Sequence, residues 1–519
     1  MPRPGTSVVV SDLLPPAAAP TATDVAFFVG EAQRGPTEIP ALVRSPENFR
    51  ARFGDRIPQS RLSDDMDAYF GEGGSRAYVL RLSAGASASS VTEGGLTVKA
   101  VDPGAWGNDL TVELVAAGGL GIEIFTALET PHLDLAPEPK ANGPKRRPRN
   151  SGEALPPIAG AQGNGNGDGP MAVAVSYKGD VVERALSLET AGELVAWATG
   201  SDYVRVEADD EAAPLSAGTF TLAGGADGTL PVTDPYALLE TALRFDSALG
   251  PGQLQAPGKT TPPHHEALLK AAEQGSRVAF LDGSSDADLP TLIAHVAQLR
   301  TIFQQRFGGL WAQRAVIPGL AVGTTRLASW SAVQAGLQAR VDAAGNPNQA
   351  AAGSFGICRY CTGLDRQFTD AEREALMYGG VNTAKIVYGR PRGYGFRSLV
   401  SENGEARAWL FLNNVRLAMA IKARADAIAE TYLFRPIDGA GLLFAALRGE
   451  LGGMLGEYWP EGLYGETVAD SYRVETGEAV NTPETIAAGE IRAVIGLRMA
   501  PPGEWVYIQI VKVPLTETV

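Results

Sequence analysis

The sequence predicts a multidomain protein of α/β and α+β class. An α/β middle domain is interrupted by a β-rich insertion and followed by an α+β C-terminal domain. Three observations predict it. Buried-strand runs alternate with capped helices near residues 24–82, and the same alternation returns beyond residue 226. Between those stretches, apolar and polar residues alternate in the manner of half-exposed antiparallel strands. Both ends carry β-branched runs, TSVVV (Thr6, Ser7, Val8, Val9, Val10) and WVYIQIVKV from Trp505 to Val513. Exposed strand edges invite pairing with other chains, so such runs suit strands donated to neighbours.

Residues 1–20 read as an arm, in which PPAAAP (Pro15 to Pro20) is an extended spacer. DVAFFVG (Asp24 to Gly30) is continuously apolar and suits a strand buried on both faces. SPENFRARFG (Ser45 to Gly54) is a short helix with Ser45 at the N-cap, Pro46 at the first position and Gly54 as terminator. SDDMDAYFGEGG repeats that logic, with Ser63 as cap, acidic residues in the first turn and glycines at the end. RAYVLRL (Arg76 to Leu82) is a strand, which closes a βαβ-like unit.

The insertion spans residues 84–225. GLTVKA, DLTVELVAAGGLGIEIF, MAVAVSYKG and YVRVEA are its strands, and residues 130–170, rich in Pro, Gly and Asn, form a long flexible excursion. The α/β domain, residues 21–83 and 226–380, then resumes. TDPYALLETALRFD is a capped helix, RVAFLDG a buried strand and AQRAVIPG another strand. ADLPTLIAHVAQLRTIFQQRF is an amphipathic helix with Leu292, His295, Leu299 and Ile302 on one face. TRLASWSAVQAGLQARVDA and TDAEREALMYGG are further helices, the second capped by Thr369.

Residues 381–519 make the C-terminal domain. Glu405 to Phe434 reads as the longest helix, with an apolar stripe of Leu410, Leu417, Ile421, Ile428 and Tyr432. A second helix runs from about Gly441 to Trp459. GETVADSYRVE, EIRAVIGLRMA and EWVYIQIVKV are closing strands. In the last, Val506, Ile508 and Ile510 face one way and Trp505, Tyr507 and Val511 the other, so it calls for cover on both faces.

Composition bounds function. The 519 residues suffice for three or four domains, and 45% hydrophobic content is globular. A net charge of −15 argues against general nucleic-acid binding, which needs a basic face. Two cysteines exclude a disulfide framework. The first residues lack the apolar core of a secretory signal, and no apolar run is long enough to span a membrane. The expectation is a protein made in a cytoplasm and soluble until it assembles.

Catalytic, cofactor and metal motifs are weak, and none is assigned. Cys358 and Cys361 have CxxC spacing, but His132, His264, His265 and His295 offer no matching zinc spacing, and the turn-like TGLD follows where a redox motif needs a helix. GQLQAPGKT (Gly252 to Thr260) approximates a phosphate-binding loop with one residue too many, and reads as lacking a strand directly before and a helix directly after. GYGFRS (Gly393 to Ser398) lacks the third glycine of a dinucleotide loop. His264 and His265 fit a helix entry and His295 a core histidine, while Lys145, Arg146, Arg147 and Arg149 form a basic run in a solvated loop.

Several landmarks together carry a resemblance. AFFVGEAQRGP (Ala26 to Pro36), FRARFG and DAYFGEGGSRAYVLRL resemble the N-terminal part of contractile tail sheath proteins. DPGAWGNDLTVEL (Asp102 to Leu114) and LAGGADG (Leu222 to Gly228) are similar to the entry and exit of their inserted domain. TGLDRQFTDAEREALMYGGVNTAKI, NNVRLAMAI and PPGEWVYIQI resemble the approach to their C-terminal domain, its long helix and its final strand. The motifs occur in family order over most of the chain.

The resemblance implies a subunit of a phage tail, tailocin or related injection system, assembled in a bacterial cytoplasm. Such subunits form stacked rings, a helical homo-oligomer around an inner tube protein, with baseplate and terminator proteins as further partners. Contraction drives the tube through a target envelope. The implied inter-subunit strands are Thr6 to Val10 and Trp505, Val506, Tyr507, Ile508, Gln509, Ile510 and Val511. The inserted domain is expected to face outward. Arg416, Lys422 and Arg424 are expected to face the tube. An α/β enzyme, hydrolase or CxxC redox, and a surface-layer or adhesin protein are the alternatives.

Overall fold

The computed structural model describes residues 22–116, 170–345 and 347–504. They form two compact units. Ala86–Gly228 is one, and the chain before and after it makes the other.

The larger unit starts with β1 (Ala26–Gly30), β2 (Ala41–Val43), α1 (Pro46–Phe53), α2 (Leu62–Glu72) and β3 (Ala77–Arg81). The Ser45 hydroxyl accepts the Asn48 N–H at 3.1 Å and caps α1 as its sequence predicts. Ser63 does not cap α2. That helix opens at Leu62 with Arg61 at the cap position and no side-chain cap bond. Its acids are buried instead: Asp64, in the first turn, meets Arg56 and Arg326, each at 2.5 Å, and Asp67, further along, meets Arg326 at 2.9 Å.

The smaller unit contains β4 (Ser90–Glu93), β5 (Leu96–Ala100), β6 (Leu110–Ala116), β7 (Met171–Tyr177), β8 (Asp180–Leu188), α3 (Ala191–Ala198), β9 (Val204–Ala208) and β10 (Gly218–Thr221). Two antiparallel sheets, ordered β10-β6-β7-β8 and β4-β5-β9, enclose a core of alternating residues such as Val98, Leu110, Val112, Val173, Val175 and Val204. Helix α3 is absent from the strand-only reading. Thr190 caps it by accepting the Glu193 N–H.

The larger unit resumes with α4 (Pro235–Leu243), β11 (Gln253–Gln255), α5 (Pro262–Gln274), β12 (Val278–Asp282), α6 (Leu289–Leu299), β13 (Gly308–Trp311), β14 (Arg314–Pro318), β15 (Thr325–Ser329), α7 (Trp330–Asp342), β16 (Gly363–Leu364), α8 (Asp370–Gly379), β17 (Val381–Asn382), β18 (Ala384–Val387) and β19 (Arg390–Gly393). Its main sheet runs β17-β13-β12-β11-β1-β3-β2 and is parallel except for the β2–β3 pair. Every residue of β1, β12 and β13 is buried, as continuous apolar runs require of a sheet covered on both faces. Thr325–Ser329 forms a strand against β14, so the helix expected from Thr325 begins only at Trp330. Helix α7 is buried on nearly all sides, which erases the periodicity a surface helix would show. Thr369 and Glu372 build a full capping box on α8.

The chain closes with α9 (Leu412–Glu430), α10 (Leu442–Gly462), α11 (Val468–Ser471), β20 (Tyr472–Glu475), α12 (Pro483–Ala487) and β21 (Val494–Leu497). The helix expected over 405–434 is shorter, because Glu405–Trp409 is a 3-10 turn, and α10 at 21 residues exceeds α9 at 19. Leu417, Ile421 and Tyr432 of the expected stripe pack with Leu447, Leu451 and Leu455 of α10 in a core of their own.

Candidate functional site: an open two-stranded sheet and the chain leaving it

Strands β20 and β21 pair antiparallel in the register Tyr472↔Leu497 to Glu475↔Val494. Among the described residues neither has a second strand neighbour. One face rests on α10, where the Tyr472 hydroxyl donates to Gly452 O at 2.7 Å. The other side is open enough to leave Val494 50% exposed. An isolated two-stranded ribbon is marginal in water, so this pair relies on its supports. Asn481 is the main one. Its Nδ2 donates to Thr476 O at 2.9 Å and Arg492 O at 2.8 Å, and its Oδ1 accepts the Arg492 N–H at 2.8 Å. That buried amide ties together both ends of the connection between the strands.

Beyond β21 the chain stays fixed. Arg498 and Ala500 donate their N–H groups to Ser471 O and Gly462 O at 2.9 and 2.8 Å. Glu504 then meets the Arg397 guanidinium. The expected donor residues Thr6 to Val10 and Trp505 to Val511 lie outside the described residues.

The three cations expected to face a tube sit on α9, but they differ. Arg416 is a correction. Its side chain is 2% exposed and ion-paired with Asp342 of α7, whose carboxylate is 1% exposed, so it faces the interior. Burial pushes the Asp342 carboxyl above its usual value, and the Arg416 guanidinium pulls it back. Lys422 is 48% exposed and bonds Asp426 and the Ser276 hydroxyl, both at 2.8 Å. Arg424 pairs with Glu457 at 2.7 Å and lies over the Tyr458 ring.

The weak chemical motifs turn out to serve internal contacts. The segment resembling a phosphate loop does join a strand, β11, to a helix, α5, contrary to its sequence reading. The expected absence failed because β11 is only three residues long and lies inside the motif. It also flanks β1, where strand order reverses and open α/β sheets hold ligands. Here the chain itself fills that place. Lys259 is buried, pairs with Glu31 and donates to Val232 O at 2.7 Å, while Glu31 accepts the Val232 N–H at 3.0 Å.

His264 and His265 lie in the first turn of α5, as a helix entry predicts. His265 Nδ1 lies 3.0 Å from His295 Nε2, and its Nε2 lies 2.8 Å from Lys259 O. Burial holds His265 well below the usual histidine range and pushes His295 down to about 4.

Cys358 and Cys361 are buried free thiols. Their loop wraps the fully buried Glu72 carboxylate, which accepts the N–H groups of Arg359, Tyr360 and Cys361 at 2.7, 3.0 and 2.8 Å. The thiol's hydrogen bond with Cys361, and its burial, push Cys358 far up, which opposes thiolate chemistry.

No family model matches the sequence, and no curated protein matches it. Solved structures do. The sheath tail protein of Listeria innocua superposes with a TM-score of 0.55 at 12% identity, over 88% of this chain and 89% of that one. A chain of the anti-feeding prophage helical sheath in its contracted state gives 0.54 at 12% identity, over 99% of both chains. A chain from the contracted baseplate of the same particle gives 0.57 at 16% identity, over the full length of both. The resemblance that the ordered motifs carry therefore holds in three dimensions: over nearly its whole length, this chain has the fold of contractile sheath proteins.

Proposed function

We propose that this chain is the repeating structural subunit of a contractile sheath. It polymerises helically around an inner tube and contracts to drive that tube through a target envelope. The observation that carries this reading is the open β20–β21 sheet in the last part of a sheath-like fold, with a β-branched run a few residues beyond it. A strand added to an open edge gains main-chain hydrogen bonds and side-chain pockets. A nine-residue run spans roughly 30 Å at about 3.3 Å per residue, enough to cross between neighbouring bodies. The donors are Thr6 to Val10 and Trp505 to Val511, and the acceptor is the β20–β21 sheet of another copy. Heterologous contacts of this kind do not close and so build open helical filaments.

Contraction on this reading is a change between two packings of the same subunits and requires no catalytic residue. The partners are other copies, the tube, a baseplate and a terminator, with assembly in the bacterial cytoplasm. The Ala86–Gly228 unit faces outward. Lys422 and Arg424 remain as tube-facing cations, and each exposed pair contributes about 0–1 kcal/mol, so only many copies acting together hold the tube.

Deleting Trp505 to Val519 is expected to leave a folded, soluble monomer that forms no sheath in electron micrographs. Normal sheaths from that truncation would sink the strand-donation reading.

A further inference from the structure

The last described residue, Glu504, stands at the root of the C-terminal run. Arg397, in the segment between β19 and α9, holds it. Arg397 Nε donates to Glu504 Oε1 and Oε2 at 2.9 and 3.2 Å, and Nη2 donates to Oε2. The Arg397 side chain is 6% exposed and that of Glu504 23%. Forked, charge-assisted contacts of this type fix direction as well as distance.

The Arg397 backbone is itself anchored. The Arg397 N–H donates to Asn382 Oδ1 at 2.7 Å, and Asn382 Nδ2 donates to Arg397 O at 2.8 Å. Asn382 belongs to β17 and pairs in register with Trp311 of β13. Contacts therefore run without a break from Glu504 into the seven-stranded sheet. Upstream, the nearest backbone anchor is the Ala500 N–H on Gly462 O. Loss of the Glu504 contact would release Pro501 to Glu504 from the fold.

A second carboxylate sits on the same guanidinium. Glu402 accepts from Arg397 Nη1 at 3.3 Å. Glu504 can leave without stranding a buried charge, because Arg397 keeps a partner.

We propose that Arg397 and Glu504 form a releasable clamp on the root of the C-terminal arm. It aims the arm before a neighbouring copy takes it up, and it routes tension on the arm into the α/β sheet. The inference rests on the strand-donation reading above. Pre-ordering a segment lowers the entropy lost when it binds, so the clamp favours assembly without touching the neighbour.

The test compares full-length chains carrying Glu504→Ala, Glu504→Gln or Glu402→Gln with the truncation lacking Trp505 to Val519. Three quantities are measured: the denaturation midpoint of the monomer, hydrogen exchange of the peptide spanning residues 500–510, and the threshold concentration for sheath assembly by sedimentation. Both Glu504 variants should keep the wild-type midpoint. Their exchange and assembly threshold should each rise roughly tenfold, the loss expected for a charge-assisted contact. Glu402→Gln should change neither exchange nor threshold. Wild-type exchange, or a wild-type threshold, in the Glu504 variants overturns the clamp while a non-assembling truncation leaves strand donation standing. A truncation that assembles normally overturns strand donation and the clamp together.

Discussion

The buried pair between Arg416 and Asp342 joins α9 to α7, and replacing Arg416 with Met isolates its contribution. Both side chains are nearly inaccessible, and Asp342 also accepts from Gln338 Nε2 at 2.8 Å and from Gln253 Nε2 at 3.4 Å. Removing the guanidinium leaves a carboxylate with neutral donors and no counter-charge. Breaking one side of a buried pair costs about 3–5 kcal/mol. Protonation sets a ceiling, because neutralising a carboxyl of ordinary pKa at pH 7 costs about 4 kcal/mol, at about 1.4 kcal/mol per pH unit. In the variant the folded carboxyl titrates above the unfolded one, so the folded state binds the extra proton. Stability is then regained as pH falls from 7 toward 5, by up to about 1.4 kcal/mol per unit.

Asp342→Asn should behave differently. A guanidinium stays charged throughout that range, so the loss persists at every pH in it. Urea titration of the monomer at pH 5, 6 and 7 reads this out. The fluorescence of Trp311 and Trp330, both 0% exposed in the same core, is the probe. A loss below about 1 kcal/mol for Arg416→Met with no pH dependence would refute the argument, since it would mean the carboxylate is hydrated.

The His265–His295 contact predicts acid sensitivity of the opposite sign. Both imidazoles are depressed by burial, so the unfolded chain binds protons first and stability drains as pH falls from about 6.5 toward 4. His295→Gln should flatten that part of the melting-temperature profile, and an unchanged profile would count against the pair. Gly336 lies where α7 meets α2. A Cβ there would stand 2.4 Å from Tyr69 O and 2.9 Å from the Glu72 Cβ. Gly336→Ala should therefore destabilise by about 1–3 kcal/mol in the same urea assay, as overpacking does, and a neutral result would show that the helices can part.

Much of the fold was legible because local rules and tertiary packing agreed. Ser45, Pro46 and Gly54 bounded α1, and Thr369 with Glu372 bounded α8, since caps are local hydrogen bonds between residues three apart. AFFVG and VAFLD read as strands because a sheet covered on both faces needs continuous apolar runs. Where the two disagreed, packing won. Arg416 has the spacing of a solvent-facing cation on α9, yet Asp342, 74 residues earlier in the chain, draws it inward. Thr325–Ser329 has acceptable helix composition, yet β14 offers it a strand partner.

By itself the sequence determined the order of most elements, the interruption of the α/β pattern, several helix caps and the β-branched runs at both ends. Periodicity and capping act over a few residues, so they survive in one dimension. Only the tertiary structure decided which charges are spent internally. Glu72 holds the CRYC loop across 289 residues, Lys259 closes on Glu31 across 228, and Glu504 reaches Arg397 across 107. No local pattern encodes such pairings, because they depend on which surfaces the fold brings together.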